Sequence, residues 1–162
     1  MDLPLEPDML FSIIGLAAVV FTTIFGLIPY YDSVKLRRSE WLYKLYTQFY
    51  VEPNLKEIRQ MIDSEKGKCV IEELIAKDET SLDQKELDRL DQFTDYCNFF
   101  EFMMMLKKSR ILKSEDVKVM FRYYLYRFSS NIIEKYLMEN GFKLLSKYLQ
   151  ENHKEIIQNV QK

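Results

Sequence analysis

The sequence predicts an all-α protein, one N-terminal transmembrane helix followed by a cytoplasmic helical bundle, and three observations lead there. First, Met9 to Tyr31 carries no ionisable side chain other than tyrosine and is bracketed by Asp8 and Asp32. At helical rise this run reaches about 34 Å, against a hydrocarbon core of about 30 Å. Second, the residues after Ser39 place apolar side chains at i, i+3 and i+4, and no segment alternates as a strand would. Third, the 162 residues include only four Gly and four Pro, so few turns are signalled.

The opening run does not read as a cleaved signal peptide. Its start is acidic (Asp2, Glu6, Asp8), its apolar stretch is too long, and Phe, Ile, Pro and Tyr occupy its end. A buried core helix would carry a polar stripe, and only Ser12, Thr22 and Thr23 interrupt this one. Lys35, Arg37 and Arg38 follow the run and no Lys or Arg precedes it. The positive-inside rule therefore places residues 1–8 outside, the span at 9–31, a basic juxtamembrane segment at 32–38 and a cytoplasmic domain at 39–162. Pro29 is expected to end or bend the span, with Tyr30 and Tyr31 at the interface. Ala18, Thr22 and Gly26 lie four apart on one face and would let a second copy approach closely.

The cytoplasmic part reads as helix throughout. Ser39 is placed to cap a helix from Glu40 to Val51, with Trp41, Leu42, Leu45 and Phe49 on one stripe and Pro53 closing it. Asn54 is placed to cap the next, whose stripe is Leu55, Ile58, Met61 and Ile62. Gly67 marks a break, Cys69 to Lys77 forms a short helix, and Asp78 to Ser81 is a polar connection. Ser81 and Gln84 make a capping-box pattern opening the longest helix, Leu82 to Ser109. Its second half, from Phe93 to Leu106, is apolar on nearly every side and is expected at the centre of the domain. Ser114 caps another helix, with Glu115 and Asp116 in its first turn and Val117, Met120, Phe121, Tyr124, Leu125 and Phe128 as its stripe. Ile132 to Leu137 continue the pattern, Gly141 is placed as a C-terminal cap, and Phe142 to Val160 forms the last amphipathic helix.

Chemistry-bearing motifs are scarce, and no enzyme activity is expected. There is no glycine-rich phosphate loop, nucleophile elbow or HExxH. Cys69, Cys97 and His153 are too few for a structural zinc site, and no cofactor is expected. Glu101 stands out as a carboxylate in the most apolar helix, where it needs a cation or donors; Arg127, or alternatively Arg122, on the next helix is the expected partner.

Charge is sorted along the chain. Glu72 to Glu101 holds ten acids and three bases, whereas Phe102 to Ile133 holds seven bases and two acids. Lys107, Lys108, Arg110, Lys113, Lys118 and Arg122, together with Lys35, Arg37 and Arg38, are expected to form a basic surface for anionic phospholipid. Each such base near an anionic leaflet contributes about 1 kcal/mol. The acidic stretch is a candidate docking surface for a basic partner protein. With a net charge of −2 the chain is not expected to bind nucleic acid in general. Tyr123, Tyr124 and Tyr126 among the bases also suit a stacking platform for single-stranded nucleic acid or a nucleotide messenger.

Leu90 to Phe128 contains Asn98-Phe99-Phe100-Glu101, then Lys113-Ser114-Glu115-Asp116-Val117, then Phe121-Arg122-Tyr123-Tyr124. This stretch resembles a prokaryotic family of small one-span membrane proteins of unknown function with an Asn-aromatic-aromatic-Glu helix, and Ser39-Glu40-Trp41 to Phe49 is similar to that family's juxtamembrane helix. The architecture also resembles membrane effectors that accompany prokaryotic immune sensors, of the short Argonaute or nucleotide-signalling type. The resemblance implies an effector of abortive infection that disrupts the membrane when a sensor protein encoded nearby activates it. A single span cannot enclose a pore, so that role implies homo-oligomers. It assigns no catalytic residues.

Overall fold

The aromatic half of the helix at Gln84–Lys108 organises the core, although the longest helix is the N-terminal one at Pro7–Val51 and not this one as expected, because the apolar run continues unbroken into the next helical stripe. In a computed structural model, which describes residues 7–128 and 130–158, helix α4 (Gln84–Lys108) buries Phe93, Tyr96, Cys97, Phe99, Phe100, Met103, Met104 and Leu106. The other elements are α1 (Pro7–Val51), α2 (Pro53–Asp63), α3 (Glu65–Ala76), a single 3₁₀ turn (Glu79–Ser81), α5 (Ser114–Arg127), α6 (Asn131–Glu139) and α7 (Lys143–Gln158). Among the described residues there is no strand. The expected residues 1–6 and 159–162, and the side chain of His153, lie outside the described set.

The chain divides into two compact units, Met1–Trp41 and Leu42–Lys162. The first unit is the greater part of α1. Its apolar side chains from Phe11 to Leu36 are exposed, Phe11, Leu16 and Phe21 by 64–72%. This helix is long and apolar enough to cross a membrane. Contrary to expectation, Pro29 does not end it and Ser39 does not open a new helix. Proline costs the helix one N–H and one carbonyl partner, which flanking turns tolerate within an apolar segment. Ser39 directs its hydroxyl to the Lys35 carbonyl four residues back, at 3.1 Å, instead of capping a new helix.

In the second unit, Phe49 from the last turns of α1 is fully buried. Its ring meets Phe99 at 5.3 Å, Phe100 at 5.7 Å, Phe121 at 5.2 Å and Tyr124 at 4.7 Å, so one side chain ties α1 to α4 and α5. Phe128 continues the cluster against Tyr96 and Phe100. The pairs are tilted or edge-on, apart from the stacked Tyr96–Phe128 pair, all arrangements that aromatic rings favour.

Several helix ends fall a few residues from where the sequence suggested. Pro53 opens α2 at its first position after Glu52, so Asn54 is not the cap. The break before α3 is at Ser64, which accepts the Gly67 N–H at 3.0 Å, and Gly67 lies inside the helix. Glycine is required there because a Cβ would stand 2.2 Å from the Met61 carbonyl oxygen. The capping box of α4 is Asp83 with Glu86, not Ser81 with Gln84. Asp83 accepts the Glu86 N–H at 2.8 Å and Glu86 accepts the Asp83 N–H at 3.1 Å. Asp116 accepts the N–H of Lys113, the residue before α5, at 2.8 Å. Gly141, at φ +87°, does end α6, and Phe142 donates to the Leu137 carbonyl at 3.0 Å in a Schellman turn.

Candidate functional site

The buried arginines and the half-buried Glu101 are used to finish helix ends. Phe142 precedes α7 and has no side-chain acceptor for the free N–H groups of the first turn. Glu101 supplies one from α4, its two carboxylate oxygens accepting the N–H groups of Leu144 at 3.0 Å and Leu145 at 2.8 Å. Arg127 is engaged elsewhere. Its Nε donates to the Ile62 carbonyl at the end of α2, at 2.7 Å, and its Nη1 pairs with Glu65. The expected Glu101–Arg127 pair is therefore replaced by two separate caps, and Arg122 is exposed. The physical reason is that a helix end offers a ready partial charge of the required sign for each side chain.

Arg59, which sequence reasoning passed over, does the same for α1. Pro53 lacks the N–H that would serve the Phe49 carbonyl, and Arg59 Nη1 donates to that oxygen at 2.6 Å. Its guanidinium also lies 4.6 Å from the Tyr50 ring centroid. Burial pushes the Asp63 carboxyl up, against the opposing charges of Arg59 and Arg127. Burial also raises the hydroxyls of Tyr96, Tyr124 and Tyr136 and the thiol of Cys97. A thiol held neutral in this way is a poor nucleophile. Among the described residues, no cluster of three or more His, Cys, Asp or Glu side chains is arranged to hold a metal.

The basic residues divide between the units. Lys35 and Arg37 are exposed and Arg38 half-buried on the first; the other six belong to the second. In the second unit, Lys107 and Lys108 form the last turn of α4, Arg110 and Lys113 stand in the α4–α5 turn, and Lys118 and Arg122 follow on α5. Lysines at a helix C-terminus are favoured by the macrodipole without any ligand. Arg110 is different. It occupies the Schellman position after α4 at φ +61°, with its own N–H bonded to Lys107 O and that of Ile111 to Leu106 O, both at 3.0 Å. Glycine is the usual residue there, and a side-chain-bearing residue costs about 1–2 kcal/mol.

Apolar side chains are exposed on the same hairpin: Phe102 and Met105 on α4, Ile111 in the turn, and Val119 and Tyr123 on α5, with Val119 77% exposed. Phe102 and Met105 depart from the all-round burial expected of this part of α4. Tyr124 is committed to Phe49 and to an edge-on contact with Tyr123 at 5.2 Å, which removes it from any stacking platform.

The acidic stretch is partly accounted for by local structure. Asp83 and Glu86 form the α4 capping box, and Glu86 pairs with Lys77 at 2.5 Å. The Lys77 ammonium and the Asp83 N–H hold the Glu86 carboxyl below its ordinary range. In the first unit, Ala18, Thr22 and Gly26 are exposed, and Thr22 donates its hydroxyl to the Ala18 carbonyl at 2.7 Å. No family model, curated protein or solved structure matches this chain.

Proposed function

We propose that this chain is a membrane-anchored helical effector whose second unit engages anionic phospholipid headgroups through the α4–α5 hairpin. The observation that carries the reading is Arg110, a cation kept at positive φ where glycine would relieve strain. Strain of this kind persists where the side chain is needed. The flanking bases supply attraction to an anionic leaflet, and Ile111, Val119 and Tyr123 supply apolar contact of the kind interfacial helices make. The apolar part of α1 is the anchor, with the second unit on the cytoplasmic side by the charge rule.

In this reading the target of action is the bilayer, and the activating partner is a sensor protein of prokaryotic antiviral defence, as the resemblance implies. Copies associate through the Ala18, Thr22 and Gly26 face, since one span cannot make a pore. Full-length protein reconstituted in phosphatidylglycerol liposomes tests this by ion leak and in cells by membrane potential. Replacing Lys107, Lys108, Arg110 and Lys113 together by Glu should abolish leak while the protein stays inserted. Leak that persists in the fourfold variant refutes the reading. A preserved potential with intact partner complexes would instead identify an adaptor that only localises its partner.

A further inference from the structure

Beside the hairpin, the last turn of α4 and the first turns of α7 enclose a groove of about 290 Å³ lined by Met104, Lys107, Lys108, Leu144, Lys147, Tyr148 and Glu151. Met104 and Tyr148 are buried and Leu144 half-buried, which gives the groove an apolar floor. Its rim is cationic. Lys147, from a helix that the charge blocks along the sequence did not single out, joins Lys107 and Lys108 there.

We infer that this groove is a discrete site for the phosphate headgroup of one anionic phospholipid, held by Lys107, Lys108 and Lys147 over the Met104–Leu144–Tyr148 floor. The inference rests on the reading that the second unit engages anionic lipid, and it adds a defined site to a diffuse surface. Three lysines face a single carboxylate. Glu151 lies 3.7 Å from Lys147, and among the described residues no carboxylate pairs with Lys107 or Lys108. The Lys107 ammonium is held 4.6 Å from the centroid of the Tyr148 ring, which fixes its position before any anion arrives. The first N–H groups of α7 are already taken, those of Leu144 and Leu145 by Glu101 and those of Lys143 and Ser146 by the Gly141 and Phe142 carbonyls, so the anion is bound by lysine side chains alone. The volume is at the small end of ligand sites, suited to a headgroup with its acyl chains outside.

Amine-reactive labelling of full-length protein in nanodiscs tests the site, with each lysine read by mass spectrometry. Phosphatidylglycerol discs should protect Lys107, Lys108 and Lys147, relative to phosphatidylcholine discs, while Lys66 and Lys135 label equally in both. Lys147→Gln should weaken protection of Lys107 and Lys108 about fivefold, and Lys66→Gln, on an exposed lysine of α3, should leave it unchanged. Protection spread evenly over Lys107, Lys108, Lys113 and Lys118 and indifferent to Lys147→Gln overturns the groove but leaves the hairpin reading intact. Absence of protection at every lysine overturns both. Inorganic phosphate added to phosphatidylcholine discs should protect nothing; equal protection by phosphate would refute a lipid as occupant.

Discussion

Replacing Glu101 separates a structural cap from a functional acid. The carboxylate accepts two N–H groups, from Leu144 and Leu145, and Leu145 is fully buried. Bonds to a charged acceptor contribute about 1.5–3 kcal/mol each, and the charge at a helix N-terminus adds about 0.3–1 kcal/mol. Glu101→Gln keeps one oxygen but turns an amide nitrogen toward a donor, so it should cost about 2 kcal/mol. Glu101→Leu leaves both donors unserved, for about 3–5 kcal/mol. The assay is guanidinium unfolding of the full chain in detergent, followed by far-UV circular dichroism, with hydrogen exchange read at Leu144 and Leu145. Both variants should lose protection at those amides first. A Glu101→Leu protein within about 0.5 kcal/mol of the parent, with these amides still protected, would refute the capping argument. A fully stable Glu101→Gln protein that no longer causes leak would instead make Glu101 a functional acid.

Gly67→Ala should destabilise by about 1–3 kcal/mol or more, because its Cβ meets backbone at Met61 and the α2–α3 corner must open; differential scanning calorimetry checks this against Gly15→Ala, where nothing lies within 4 Å. Arg110→Gly should raise stability by about 0.5–1 kcal/mol in unfolding titrations and yet reduce leak, the trade expected of a strained residue kept for its side chain. On the alkaline side, burial raises Tyr96, Tyr124 and Tyr136 above their unfolded value near 10. Their contribution is therefore complete below pH 10 and is lost as pH climbs from there toward the raised folded values. Phenolate absorbance at 295 nm should rise in two stages, the second coinciding with loss of helicity. A single reversible titration of all eleven tyrosines near pH 10 with helicity intact would contradict this.

Helical periodicity carried the architecture well, because each stripe from Leu55 to Ile62 or Val117 to Phe128 must face a core whatever its neighbours are. Ends were harder to place. Ser81–Gln84 and Asp83–Glu86 are overlapping capping patterns, and the second prevails with Lys77 paired to Glu86. Ser39 had an equally available i−4 carbonyl inside a helix. The Glu101–Arg127 pair is absent because Glu101 takes backbone N–H groups of α7, and Arg127 takes a backbone carbonyl of α2 and the Glu65 carboxylate at the start of α3. Arg59 left a readable trace: Pro53, four residues after Phe49, strips that carbonyl of its helical donor and calls for another. The groove was hidden because Lys147 reaches Lys107 only through the packing of α4 against α7.

Hydrogen exchange on the full-length protein in nanodiscs tests contact between the hairpin and the leaflet most directly. Amides from Lys107 to Lys118 should exchange about tenfold more slowly in phosphatidylglycerol than in phosphatidylcholine, given roughly 1 kcal/mol per engaged base, while α2 and α6 stay unchanged. Equal exchange of this segment in the two lipids would contradict the account.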